Sequence, residues 1–373
     1  MLAISLASGF YAASAAVMAA HVLEGPSDPL TDTRTAVSVL KPLYGAEPGL
    51  EETLATFLSQ DYLADVQIVF GLHSESDPAR ETVEKLKRRF PDRDIALAID
   101  EREHGANRKV SNLINMMSAA RHDVLVLADS DIEVPPSYLK TVVAALLKPG
   151  VGVVTCPYAA FGFGGFWSRF AAMGVSYQFL PNALFAIASG ISHPVFGSTI
   201  ALRRATLQAI GGFEAFADLL ADDYEIGRAV RALGLSIAYP PLTVIHHCAE
   251  TGPGGLIAHE LRWQRTIRTI DPAGHWGSIL THAFMLALVG AAFLGFSLTA
   301  CMVLAAVLLS RLFLKARIDH IVGAEAGPAW LLPMRDMVSF GIFLVSLFGH
   351  AVRWRGDRLH VGRGGAMSKS QGA

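Results

Sequence analysis

Two stretches without a single Asp, Glu, Lys or Arg most constrain what this chain can fold into: Met1 to Leu23, and the 39 residues from Pro272 to Ser310. A membrane-spanning helix needs about 20 mostly apolar residues, so the first stretch is enough for one. It lacks the basic start of a cleavable leader, and an uncleaved anchor over 1–23 is expected. The second stretch is too long for one helix and just long enough for two short ones. A helical hairpin turning near Gly295 to Ser297 follows, with tilt or local bilayer thinning absorbing the shortfall. A further apolar run, Met337 to Val352, is only marginally long enough to span and is otherwise re-entrant or interfacial. The C-terminal membrane segments thus occupy 276–352. From Arg353 to the end, five basic residues stand against one acid, and the positive-inside tendency places this 353–373 tail in the cytoplasm. If the middle of the chain is cytoplasmic too, the three C-terminal segments cannot all cross.

The whole chain carries a formal net charge of only -2, so nothing in its charge balance points to a nucleic-acid partner. Only 17% of its residues are charged, against roughly 25% in soluble domains. Cys156, Cys248 and Cys301 are odd in number and far apart; they form neither a zinc spacing nor a disulfide framework, which suits a reducing compartment.

Residues 34–270 alternate short β-rich runs with helical stretches, the pattern of an α/β domain whose parallel sheet is covered by helices. Strands are expected at Val37 to Leu40, Val66 to Leu72, Ile95 to Ile99, Val124 to Ala128 and Val151 to Thr155. In "VLVLADSDIEVPP", five apolar residues lead directly into Asp129 and Asp131. Acids two apart at a strand end point the same way and repel unless a cation sits between them. A solvated turn is the plainer explanation, but the carboxyl end of a buried parallel strand is where such folds bind ligands. Asp77 in "HSESDP" follows the second strand, and "HGANRKVSNL" follows the third. There a helix start with Arg108 and Lys109 either cradles an anion or is a simple helix entry. Asp222 and Asp223 precede a helix, where one acid fits an N-cap role and the other is free for chemistry. "HELRWQRTIR" sets His259, Arg262, Trp263 and Arg265 on a helix leading into the hairpin. Such a helix either touches anionic lipid or clamps a diphosphate between guanidinium and indole. Phe161 to Gly190, aromatic-rich with Arg169 its only charge, reads as an interfacial element or a buried core helix.

The ordered set "SVLKPLYGAEPGLEETLATFLSQDY", "SESDP", "GANRKVSNL", "LADSDI", "FGSTIALRR", "IGGF", "ADDY" and "HELRW" resembles the ceramide glucosyltransferase family of nucleotide-diphospho-sugar glycosyltransferases. The resemblance covers nearly the whole chain. It implies a GT-A-type, Rossmann-like domain carrying N- and C-terminal transmembrane helices. The chain is similar above all to the bacterial branch associated with hopanoid biosynthesis, through "GANRKVSNLINM", "FGSTIALRR", "FEAFADLLADDY" and "HELRWQRTIR".

The resemblance implies a role for each residue of its motifs. The family's three aspartate positions fall on Asp77, Asp129 and Asp223, and its closing motif on Arg262 and Trp263. Where that motif begins with Arg or Gln, this chain has His259. Asp131 completes an Asp-x-Asp pair, so Asp129 and Asp131 are the expected ligands of Mg²⁺ or Mn²⁺ bridging the two phosphates of a UDP-sugar. Asp77 is expected at the uridine, Asp223 as the general base of an inverting transfer, and Arg262, Trp263 and Lys109 at the diphosphate-sugar. The implied acceptor is a bilayer lipid, either bacteriohopanetetrol receiving N-acetylglucosamine or ceramide receiving glucose. The implied location is a bacterial inner membrane, with the catalytic domain facing the cytoplasm. A processive polysaccharide synthase shares the fold but uses more spanning helices, and a non-enzymatic receptor need not keep all four acids.

Overall fold

The apolar runs read from the sequence form strands β1 (Val37–Pro42), β2 (Val66–Leu72), β3 (Asp94–Ile99) and β4 (Val124–Leu127), and every residue of β1 and β4 is buried. The structure, a computed structural model, describes residues 2–24, 34–349, 351–354, 357–361 and 367–369. The remaining strands of the first 250 residues are β5 (Ile132–Glu133), β6 (Val151–Val154), β7 (Tyr158–Gly162), β8 (Ile200–Arg203), β9 (Ser236–Ala238) and β10 (Val244–Cys248). Seven of them make one sheet in the order β3-β2-β1-β4-β8-β6-β9. Strand β1 pairs in parallel with β2 and β4, whereas β8 runs antiparallel to both β4 and β6. The sheet is therefore mixed, where the sequence pattern predicts a parallel one. Short β8 enters from a loop at the carboxyl end of β4, so residues just before β8 meet residues just after β4.

The chain divides into two compact units, one of Pro26–Tyr158 with His193–His247 and one of Met1–Gly25, Ala159–Ser192 and Cys248–Ala373. Segments 159–192 and 248–270, expected within a continuous 34–270 domain, group with the terminal helices.

In the sheet-bearing unit the alternation of side chains along each strand sorts them into two cores. Val37, Val39, Val124 and Val126 face one side, against Leu54 and Phe57 of α2 (Leu50–Leu58), Leu86 of α3 (Ala79–Arg89) and Val142 of α5 (Tyr138–Leu146). Leu40, Leu125 and Leu127 face the other, against Leu113 and Met116 of α4 (Arg108–Met116) and Val230 of α9 (Asp222–Ala232). A strand buried on both faces has no polar outlet except at its end, which is where its acids are found.

The other unit is helical. It opens with α1 (Leu2–Leu23), whose buried residues are Ser5, Ser8, Gly9, Ala12, Ala15, Ala16, Ala19 and Leu23. Small residues on one face let helices approach closely without a hydrophobic drive, and a Cβ on Gly9 would sit 3.0 Å from Val307 Cγ2. Helices α6 (Phe166–Gly174) and α7 (Leu180–Ala188) follow, and α8 (Arg204–Ala209) belongs to the sheet-bearing unit. The unit then continues through α10 (Pro253–Ile270), α11 (Pro272–Gly277), α12 (Ala283–Phe293), α13 (Leu298–Val322) and α14 (Leu332–Ser346). The chain turns between α12 and α13 with Gly295 at φ 57° and Phe296 at φ 52°, and the Ser297 side chain accepts from Ala300 N–H.

Four described helical segments are long and apolar enough to cross a membrane: Leu2–Leu23, Phe166–Ala188, Leu298–Val322 and Ala329–Ser346. The pair Pro272–Thr281 and Ala283–Phe293, bent by 63°, is a fifth if it counts as one broken span. Two differences from the sequence reading stand out. Phe166–Ala188 meets the length and hydropathy of a span. The run Met337 to Val352 is not one element: its helix begins at Leu332 and ends at Ser346, and Ala351–Trp354 is a strand paired antiparallel with Asp357–Val361.

Candidate active site

The carboxyl edge of the sheet gathers charged side chains from five places in the chain. Lys41 lies near the end of β1, Asp77 follows β2, and Lys109 starts α4 after β3. Asp129 and Asp131 follow β4, and Asp222 and Asp223 open α9. Asn107 caps α4 by accepting Val110 N–H at 3.1 Å, which fixes where Lys109 emerges. Lys109 then places Nζ 2.7 Å from Asp129 Oδ1 and 3.5 Å from Asp222 Oδ2. The cation that two closely spaced acids demand is thus in part the protein's own lysine. Arg108, by contrast, pairs with Glu103 at 3.0 Å.

Neither Asp222 nor Asp223 is the cap of α9; Ala221 occupies that position and offers no side-chain bond. Asp222 is buried beside Lys109, with Asn107 Nδ2 3.4 Å from its Oδ1. Asp223 accepts Gly197 N–H through Oδ2 at 3.0 Å and Tyr224 N–H through Oδ1 at 2.8 Å. Burial, followed by the charge of Asp222, pushes the Asp223 carboxyl up to about 6 against the opposing pull of Lys109. For Lys109, burial acts to lower the ammonium, but Asp129, Asp222 and Asp223 together outweigh it and hold it raised. Burial, then Asp131, raises Asp129, with Lys109 opposing.

Asp131 projects from the same turn. Its Oδ2 lies 3.1 Å from His246 Nε2, and its carbonyl accepts His247 N–H at 2.9 Å. His247 in turn meets Glu133 at 2.6 Å. The antiparallel β5–β10 register, with His246 opposite Ile132, brings these histidines to the acids. Sequence reasoning passed over His246 and His247. The one signal was the pair of histidines inside "VIHHC", which alternation places on opposite faces. It also passed over Lys41, which is fully buried and donates through Nζ to the Asp129 carbonyl, 3.9 Å from the Phe57 ring centroid. Burial lowers the Lys41 ammonium to about 7, although Asp131, Asp129 and Glu47 all favour its charge.

Asp77 lies in the loop between β2 and α3. It accepts Gly45 N–H at 2.9 Å and Ala79 N–H at 2.9 Å, bracing the loop after β1 against the start of α3. Arg262 and Trp263 lie on α10 in the helical unit, where His259 Nδ1 is 2.8 Å from Glu250 and the His259 ring centroid is 4.6 Å from that of Trp263. The structure therefore brings Asp129, Asp131, Lys109 and Asp223 together and adds Asp222, Lys41 and His246, while Asp77 holds the loop after β1. Four carboxylates (Asp129, Asp131, Asp222, Asp223) face two lysines (Lys41, Lys109), a surplus of negative charge at one strand edge.

A mixed sheet with acids clustered at the carboxyl edge of its parallel strands places a ligand site there, and the fold is that of the GT-A glycosyltransferases. The mannosyltransferase PcManGT from Pyrobaculum calidifontis, solved in complex with GDP-Man and Mn²⁺, shares this fold with a TM-score of 0.55 at 20% identity, covering 93% of this chain and 99% of that one. The chain belongs to glycosyl transferase family 21, which it matches over residues 1–367. Ceramide glucosyltransferase 1 of Caenorhabditis elegans is 27% identical over 213 residues, 55% of this chain and 44% of that protein. The ceramide glucosyltransferase of Komagataella phaffii is 32% identical over 114 residues, 30% of this chain and 22% of that protein. The matched stretch thus spans less than half the length of these relatives.

Proposed function

We propose that this glycosyltransferase moves N-acetylglucosamine from a UDP-sugar to a hydroxyl of bacteriohopanetetrol in a bacterial inner membrane, with the sheet-bearing unit in the cytoplasm. The observation that carries the reaction type is the setting of Asp223. Its carboxylate is oriented by two backbone N–H groups and raised to about 6, the range in which a general base works at neutral pH. Asp223 accepts the proton of the attacking lipid hydroxyl, and the hydroxyl oxygen displaces the diphosphate with inversion at the anomeric carbon. Asp129, pinned by Lys109, orients the sugar-diphosphate, and Lys109 supplies positive charge toward it. Asp77, already fixing the loop after β1, serves the uridine, while Arg262 and Trp263 serve the diphosphate and the sugar or acceptor.

The residues at the strand edge fit a divalent cation. Asp131 and His246 form a carboxylate–imidazole pair 3.1 Å apart, and oxygen with imidazole donors suits Mn²⁺, while Mg²⁺ favours oxygen. Among the described residues no group of three or more such side chains is assembled for a metal, which agrees with an ion that completes its shell with substrate phosphates. Asp129 and Asp131 would hold it, with His246 beside Asp131. When bound, such an ion draws charge from the leaving diphosphate.

The polyol acceptor rests on the resemblance to the hopanoid branch. A second reading, glucose to ceramide, is favoured by the relatives named ceramide glucosyltransferase. The test is transfer of label by the purified protein in lipid nanodiscs, from UDP-N-acetylglucosamine or UDP-glucose, onto bacteriohopanetetrol or ceramide supplied separately. Label on bacteriohopanetetrol from UDP-N-acetylglucosamine is the expected result, and label on ceramide alone would replace it with the second reading.

A further inference from the structure

We propose that Gly197 is a positioning residue for the transfer reaction: it ties Asp129 and Asp223 to one peptide segment, and its missing side chain leaves room for the Asp129–Lys109 pair. This rests on the roles given above to Asp129, Lys109 and Asp223. Gly197 N–H donates to Asp223 Oδ2 at 3.0 Å, and the Gly197 carbonyl accepts Asp129 N–H at 3.3 Å. A Cβ at this position would stand 2.7 Å from Asp129 Oδ2 and 3.2 Å from Lys109 Nζ. The first distance is shorter than any real Cβ contact, so something must move. Asp129 has little freedom to yield, because Lys109 Nζ grips its other oxygen at 2.7 Å.

The segment around Gly197 is equally fixed. Phe196 N–H donates to Thr155 Oγ1 at 2.9 Å, Ser198 Oγ donates to the Cys156 carbonyl at 2.8 Å, and the Thr199 and Tyr138 hydroxyls lie 3.0 Å apart. The loop before β8 is thus clamped to the residues just after β6 and to α5, and it holds the Asp223 carboxylate and the Asp129 backbone N–H. Gly197 is not among the glycines at positive φ, so alanine is permitted by the backbone. The strain of Gly197→Ala falls on the carboxylate–ammonium contact, and the fold is left intact. That distinguishes this glycine from one needed to shape a turn.

The experiment measures kcat, donor KM and the thermal unfolding midpoint for Gly197→Ala, Lys109→Met, the double variant, Asp223→Asn and the unmodified protein in nanodiscs. Gly197→Ala is expected to raise donor KM or lower kcat, with kcat/KM falling at least tenfold, while its midpoint stays that of the unmodified protein. In the Lys109→Met background the same change should cost less than threefold, because contacting residues are coupled. The proposal is overturned if Gly197→Ala keeps kcat and donor KM within twofold, if its cost is equal in both backgrounds, or if activity falls only in step with the midpoint. Full activity in Asp223→Asn and Lys109→Met would instead overturn the roles assigned to the site, a result distinguishable from failure of the Gly197 proposal.

Discussion

Asp223 is the residue on which most turns. Its folded value of about 6 lies above the roughly 3.9 of an unperturbed aspartate, so the folded protein holds this proton more tightly than the unfolded chain. The stability that proton contributes is fully present below about pH 4 and is lost as pH rises through about 6. Catalysis has the opposite requirement, since only the carboxylate accepts a proton. A profile of kcat/KM against pH should therefore show an acid limb centred near 6, and a limb near 4 would contradict the setting described. Unfolding scans across the same range should show Asp223→Asn gaining on the unmodified protein as pH rises, a stability gain matched by lost activity. Much of this site is legible in the sequence at the level of single residues, because Asp129 and Asp131 end an apolar strand and have few roles there but ligand or metal binding. The partners are less so. Lys109 is readable as a cation, but that it meets carboxylates of the protein follows only from the approach of the start of α4 to the end of β4 and the start of α9. His246 lies more than a hundred residues beyond Asp131, and only the β5–β10 register joins them.

At the scale of elements, the end of the hairpin shows how charge patterning misleads. The charge-free run stops at Arg311, yet α13 continues to Val322, because its cations are answered inside the unit. Arg311 bonds Asp336 of α14 through Nε at 2.9 Å and Nη2 at 2.7 Å, with side chains 3% and 5% exposed. Lys315 bonds Asp319 at 2.6 Å and Glu325 at 2.9 Å. Buried ion pairs add little net stability when whole but are costly to break on one side. Asp336→Ala should lower the stability of the protein in detergent by about 3–5 kcal/mol. The paired change Arg311→Met with Asp336→Leu should recover most of that loss. Equal midpoints for Asp336→Ala and the unmodified protein would show that the pair is not buried as described. Phe166–Ala188 escapes a simple count of apolar residues for a related reason. Arg169 and Pro181 interrupt its apolar run, and much of it is buried inside the unit, as a core helix would be.

At the scale of the molecule, the helical unit and the sheet-bearing unit interleave along the chain, which no reading of consecutive segments anticipates. The boundary signals in the sequence are real, but contacts between residues far apart in the chain, such as those packing α1 against Val307 and Ala287, decide which segments belong together. With four helical segments able to cross a bilayer, the protein should remain in the membrane pellet after high-salt and alkaline washing and should enter solution only with detergent. Release by salt alone would mean that its helices lie on the surface. The proposed function assigns sugar transfer to a lipid to the acids at the carboxyl edge of the sheet, with Asp223 as the base. Its most direct test is steady-state transfer from UDP-N-acetylglucosamine to bacteriohopanetetrol by the purified protein and by Asp223→Asn. Asp223→Asn should lose about 10²–10⁴-fold in kcat with donor KM changed by less than threefold, because the role proposed for Asp223 is on the acceptor. Unchanged kcat, or a loss confined to donor KM, would contradict it.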